Sequence, residues 1–124
     1  MAVGSMLWAQ PDEAKLRAAM KQIGPTTGGL NKKIAAKDAT AAEDAKKLHA
    51  WFEGDVHSFW VEMKADDAVL FAKTAGSEFE NVSKHAEAGH WEEASASFKK
   101  ATANCAGCHT AHREKAADGS WKVK

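Results

Sequence analysis

Residues 91–113, WEEASASFKKATANCAGCHTAHR, decide how the rest of the chain is read. Trp91, Ala94, Phe98, Ala101, Cys105, Cys108 and His112 follow one another at steps of three and four. That period stacks them on one face of an α-helix. The same face carries the two cysteines of the chain and is otherwise built from Ala and aromatic residues. Just ahead, Ala88-Gly89 marks the end of a preceding helix, because Gly readily takes the left-handed conformation that closes a helix C-terminus.

Working back from there, Asp66-Asp67 opens a third helix carrying Val69, Ala72, Ala75, Phe79, Val82 and Ala86 at the same period. Gly76 interrupts it at a cost of about 1 kcal/mol relative to Ala, so it either admits a close neighbour or is tolerated. Thr40-Ala41-Ala42-Glu43 reads as a capping box for a second helix. Leu48, Phe52, Val56, Phe59 and Met63 form its stripe, with Trp51 and Trp60 at its edges. Pro11-Asp12-Glu13 starts the first helix, whose stripe is Leu16, Met20, Ile23, Thr27, Leu30 and Ile34. That register runs through Gly24-Pro25, which predicts one bent helix and not two short ones. No run alternates as a strand does. Short connections make neighbours antiparallel, so the expected fold is all-α, an antiparallel up-down-up-down four-helix bundle over residues 11–118. Residues 1–10 are expected to be disordered or the remnant of a leader, and 119–124 a C-terminal tail.

Composition narrows the partners. Lys plus Arg equals Asp plus Glu at 17 each, for a net charge of +0. Nucleic acid and anionic membranes select for a basic excess, so neither is expected. No stretch approaches the roughly 20 apolar residues of a membrane span, so insertion is not expected either. Leu, Ile, Val and Phe make up only about 15% of the chain, a poor supply for a core. A core of Ala, Phe and 5 Trp leaves room for a large apolar partner.

Cys105-Ala106-Gly107-Cys108-His109 names a candidate for that partner. C-x-x-C-H is the attachment sequence of c-type haem. Residues three apart share a helical face, so both thiols reach vinyl groups along one side of a porphyrin, and His109 offers a ring nitrogen to the iron. Ala106 and Gly107 are small and allow close approach. A structural zinc site would need four ligands, and no second pair exists. A thioredoxin-like dithiol belongs at a helix N-terminus after a strand, whereas this pair lies deep in a helix. A plain disulfide would not need the adjoining His.

A single C-x-x-C-H near the C-terminus of an all-helical chain of this length resembles the class II c-type cytochromes, the cytochrome c-prime family. The resemblance covers about Asp12 to Lys115. It implies one covalently bound haem c on Cys105, Cys108 and His109, with Arg113 on the proximal side near His109. His112 stands where the family commonly has an aromatic residue. Met20-Lys21-Gln22-Ile23-Gly24 resembles the Met-Lys-x-Ile-Gly pattern of low-spin members, which implies Met20 as the second iron ligand. Those members often carry Arg four residues earlier, where this chain has Leu16, with Arg17 beside it.

The expected function is soluble electron transfer to and from redox partner proteins, with no enzymatic activity. The alternative is a five-coordinate protein that binds or senses NO or CO. Attachment of c-type haem takes place outside the bacterial cytoplasm, which implies the periplasm. Family members commonly dimerise through the first two helices, so a homodimer stands open. Met63 is expected to pack. His49, Glu53 and His57 are expected to form a solvated face, with a surface metal site as the alternative.

Overall fold

The computed structural model describes residues 13–115, 117 and 121–123. The expectations for residues 1–10 and for the Pro11-Asp12 helix start lie outside them. The fold is an all-α helical bundle. Its helices are α1 (Glu13–Ala35), α2 (Ala41–Trp51), α3 (His57–Glu62), α4 (Asp66–Glu87) and α5 (Trp91–His112). A π-helical turn, Phe52–Val56, joins α2 to α3, so these two form the second of four rods. None of the described helices is long and apolar enough to cross a membrane.

The three connections share one device. Asp38 N–H donates to Lys33 O at 2.9 Å, Ala65 N–H to Trp60 O at 3.1 Å and His90 N–H to His85 O at 2.8 Å. Each bond spans five residues and closes around a left-handed residue: Lys37 at φ 54°, Lys64 at φ 56° and Gly89 at φ 75°. This is the Schellman ending, which satisfies carbonyls left over at a helix terminus. Only the third turn carries the Gly that makes it readable in sequence.

α1 runs without interruption through Pro25, as one helix. Pro25 donates no backbone hydrogen bond. Nearby, the Thr27 hydroxyl donates to Ile23 O at 2.7 Å. The start of α2 corrects the capping-box expectation. Thr40 is already helical, at φ −68° and ψ −8°, and its side chain caps nothing. Its N–H and hydroxyl both donate to Asp38 Oδ1, at 2.9 and 2.8 Å. The Asx turn of Asp38 has taken the capping role two residues early.

Gly54 breaks the second rod, with φ −91° and ψ −110°. A π turn holds one extra residue. Phe59 on the expected stripe and Trp60 at its edge are both buried, while Met63, expected to pack, follows the end of α3 and is 42% exposed. Side chains across the rods give their directions. Lys46 pairs with Glu87 and Phe52 stacks on Phe79, so α2 and α4 run antiparallel. Phe79 meets Phe98 and Asp67 meets His112, so α4 and α5 do too.

The core is dense at one end. Leu30, Leu48, Phe79 and Val82 are wholly buried, and Phe79 lies between Phe52 at 5.6 Å and Phe98 at 6.4 Å. Gly76 faces this rod but is tolerated and not required, because an added Cβ would make only ordinary contacts. A Cβ there would sit 3.4 Å from Glu53 Cγ and 3.5 Å from Phe52 Cβ. The tail is not a free extension. Arg113–Lys115 (β1) and Trp121–Val123 (β2) pair antiparallel, Arg113 opposite Val123, and fold the C-terminus back beside the end of α5. This short ribbon is absent from the sequence expectation, because three-residue strands carry no readable period.

A cavity between the first and last helices

On α5 the apolar stripe continues to His112, yet the buried residues are Ala94, Ser97 and Ala101 and none beyond. Cys105, Cys108, His109 and His112 are only half-buried. What faces them is space. Two adjoining cavities, of about 330 and 350 Å³, are both lined by Met20, Cys108, His109 and Arg113. Each lies within the ~300–1,000 Å³ range of ligand pockets. Cys105 and Phe71 line the second; Trp60, Arg17 and Lys21 line the first. The five residues singled out from sequence, Met20, Cys105, Cys108, His109 and Arg113, are thus brought to one place. Met20 comes from α1 and the others from α5 and the residue that follows it.

The chemistry of these groups follows from burial. The Cys108 thiol is pushed up to about 11, mainly by desolvation and then by the Asp67 and Cys105 charges. Burial raises the Cys105 thiol as well. Redox-active and nucleophilic cysteines need the opposite, a lowered value that populates the thiolate. The pair is therefore poorly suited to thiol–disulfide exchange at neutral pH. Burial, with help from the Arg113 charge, lowers His109 below the ordinary imidazole value. A neutral imidazole is the form that ligates a metal.

Gly107 has a role the sequence reading did not assign. A Cβ on it would lie 2.9 Å from Cε1 and 3.0 Å from Cζ of Phe71. Its missing side chain makes room for the α4 ring. His112 is anchored across the helices. Its Nε2 lies 2.9 and 2.8 Å from the two Asp67 carboxylate oxygens, and its ring packs 4.8 Å from Trp60. That hydrogen bond holds the Asp67 carboxyl below its usual range. The pair ties the end of α5 to the start of α4 directly beside the cavity.

No protein-family model, curated protein or solved structure matches this chain.

Elsewhere, His49 hydrogen-bonds through Nδ1 to Gly76 O at 2.7 Å and meets Glu53 through Nε2 at 3.2 Å. Among the described residues no group of three or more His, Cys, Asp and Glu is arranged to hold a metal. The residues at the cavity do fit a c-type haem. Two thiols and a neutral imidazole share one wall, a thioether lies among the lining residues, and apolar surface predominates. One buried donor has no acceptor among the described residues: Trp60 Nε1. Trp60 is buried at the cavity, in keeping with a reading of the tryptophans as core and pocket residues, whereas sequence reasoning did not place Phe71 here.

Proposed function

We propose that this chain is a monohaem c-type cytochrome, similar to the class II cytochromes, and that it carries electrons between partner proteins. The observation that supports this most is the convergence of Cys105, Cys108, His109 and Met20 on one apolar cavity at the point where α5 stops burying its stripe. Haem c supplies a one-electron couple between ferric and ferrous iron. Cys105 and Cys108 would hold the group through two thioether bonds, each thiol adding its S–H across a vinyl group with nothing leaving. His109 presents a neutral imidazole from α5, and Met20 a thioether from α1. With both positions filled, the side chains need move little when an electron arrives, and a Met ligand favours the reduced form. Leu16, Trp60 and Phe71 give the pocket apolar lining. Haem attachment implies an exported, periplasmic protein.

Two measurements test the proposal. Denaturing mass spectrometry of matured protein should give the polypeptide plus one haem; haem-free polypeptide would sink it. The absorption spectrum should be six-coordinate and low-spin. A five-coordinate, high-spin spectrum would keep the haem but make gas binding the function.

A further inference from the structure

The last turns of α5 carry the cysteines and imidazoles of the cavity, yet α5 does little itself to hold them in place. Its buried residues end at Ala101. The other three rods close on Schellman bonds, whereas α5 runs straight into Arg113, extended at φ −134° and ψ 134°. A helix terminus closed in this way frays unless other elements hold it. Besides the β1–β2 ribbon, a side-chain bond to another helix does so. Asp67 is the second residue of α4. An ionised carboxylate only accepts, so His112 Nε2–H donates to its two oxygens, at 2.9 and 2.8 Å. The His112 side chain is 16% exposed, and its ring packs 4.8 Å from Trp60. The imidazole is thus fixed from α4 and α3 at once. His109 and His112 lie one helical turn apart, and both line the first cavity with Met20 of α1.

We infer that Asp67, acting through His112, is a positioning residue for the iron ligands: the bond fixes the last turn of α5 and with it the separation of His109 from Met20. This inference rests on the haem reading with Met20 as a ligand, and deepens it. Neither Asp67 nor His112 touches the iron. His109 shares its helix with both covalent links, at Cys105 and Cys108, whereas Met20 reaches the iron from a separate helix. A tilt of the α5 turn is therefore taken up at the sulfur–iron bond. Ligand geometry is held to within about 0.5 Å where neighbouring side chains are locked by packing and hydrogen bonds, as His112 is here.

The test uses the haem-loaded protein. Asp67→Ala removes the acceptor. It should weaken the near-infrared sulfur-to-iron band and speed carbon monoxide binding to ferrous iron by about 10–100-fold, the scale usual for losing an outer partner of a metal ligand. His112→Phe keeps a ring against Trp60 but has no N–H to give, so it should do the same. Asp67→Asn keeps an amide oxygen for Nε2–H and should retain most of the band. Phe79→Ala loosens the far end of the bundle and should leave both band and binding rate as in wild type, which separates positioning from a general loss of stability. An undiminished band in either Asp67→Ala or His112→Phe overturns the inference and leaves the haem reading intact. So does a loss in Asp67→Asn as complete as in Asp67→Ala, which would assign the effect to charge, or an equal loss in Phe79→Ala. If Asp67→Ala does not fold, His112→Phe decides alone. A wild type with haem mass but no sulfur-to-iron band overturns the inference together with Met20 ligation. Matured protein without haem mass overturns the whole reading.

Discussion

The two ends of the bundle were built by different means. Around Phe79 the protein fills its own interior: Leu30, Leu48 and Val82 are wholly buried, and three Phe rings touch. Around Cys108 the same helices border two cavities, and among the described residues the Trp60 indole N–H has no acceptor. The stripes of α1 and α5 are as regular at one end as at the other. The difference is volume. A helical period says which residues face inward, and side-chain size says whether they meet. Where they do not meet in a protein interior that is normally close-packed, something else is expected to complete the core.

That comparison can be broken most directly by removing both attachment points. Cys105→Ala with Cys108→Ala should leave amide protons around Phe79 protected. Those of α5 beyond Ala101 should exchange at least about a hundredfold faster, the difference between local opening and global unfolding. Uniform protection, or a native-like melt of this haem-free variant, would mean that the cavity end stands without a ligand. Next in size is Phe79→Ala, expected to cost about 3–5 kcal/mol in a urea melt, as a wholly buried ring does. Phe71→Ala in the haem-free background should cost less than half of that, because the ring already borders empty space. Equal costs would erase the contrast between the ends.

Gly107→Ala meets the far edge of the Phe71 ring, which borders the second cavity and can give way, so it should cost less than the ~1–3 kcal/mol usual for overpacking. In the haem-loaded protein, Met20→Ala should abolish the weak near-infrared sulfur-to-iron band and open the iron to carbon monoxide. Met63→Ala, at an exposed site, should do neither. A wild type that already binds carbon monoxide freely would make Met20 a packing residue. The smallest effect concerns acid. Asp67 has its carboxyl lowered by the His112 hydrogen bond, so its stabilising contribution is complete above 3.8, the ordinary value. It is lost as pH falls from there through the lower folded value. The margin between wild type and Asp67→Asn in urea melts should close as pH falls below that point. A margin that widens in acid would contradict the pairing.

Much of this was legible beforehand, for reasons that can be named. The α4 and α5 boundaries are marked by acidic first turns and by Gly89, and their stripes carry an uninterrupted period. α1 was legible through Pro25 because Leu16, Ile23, Leu30 and Ile34 keep one register on both sides of it. The second rod was misread at both ends. Asp38 and Thr40 are two residues apart, and either composition can cap a helix. Gly54 in a helical stripe looks like a tolerated residue until the backbone shows the break.

The sequence by itself determined the helical class, the inward faces and the C-x-x-C-H group, because period, capping chemistry and ligand spacing are local properties within a few residues. It also showed, in its poverty of large aliphatic residues, that the core would fall short. Only the tertiary structure decided where. It took the approach of α1 to α5 to bring Met20 and Cys108 to one cavity. It took the packing of the second rod to bury Trp60, and the contact of α4 with α5 to set Gly107 against Phe71. Each of those depends on distances between segments dozens of residues apart, and no local pattern encodes them.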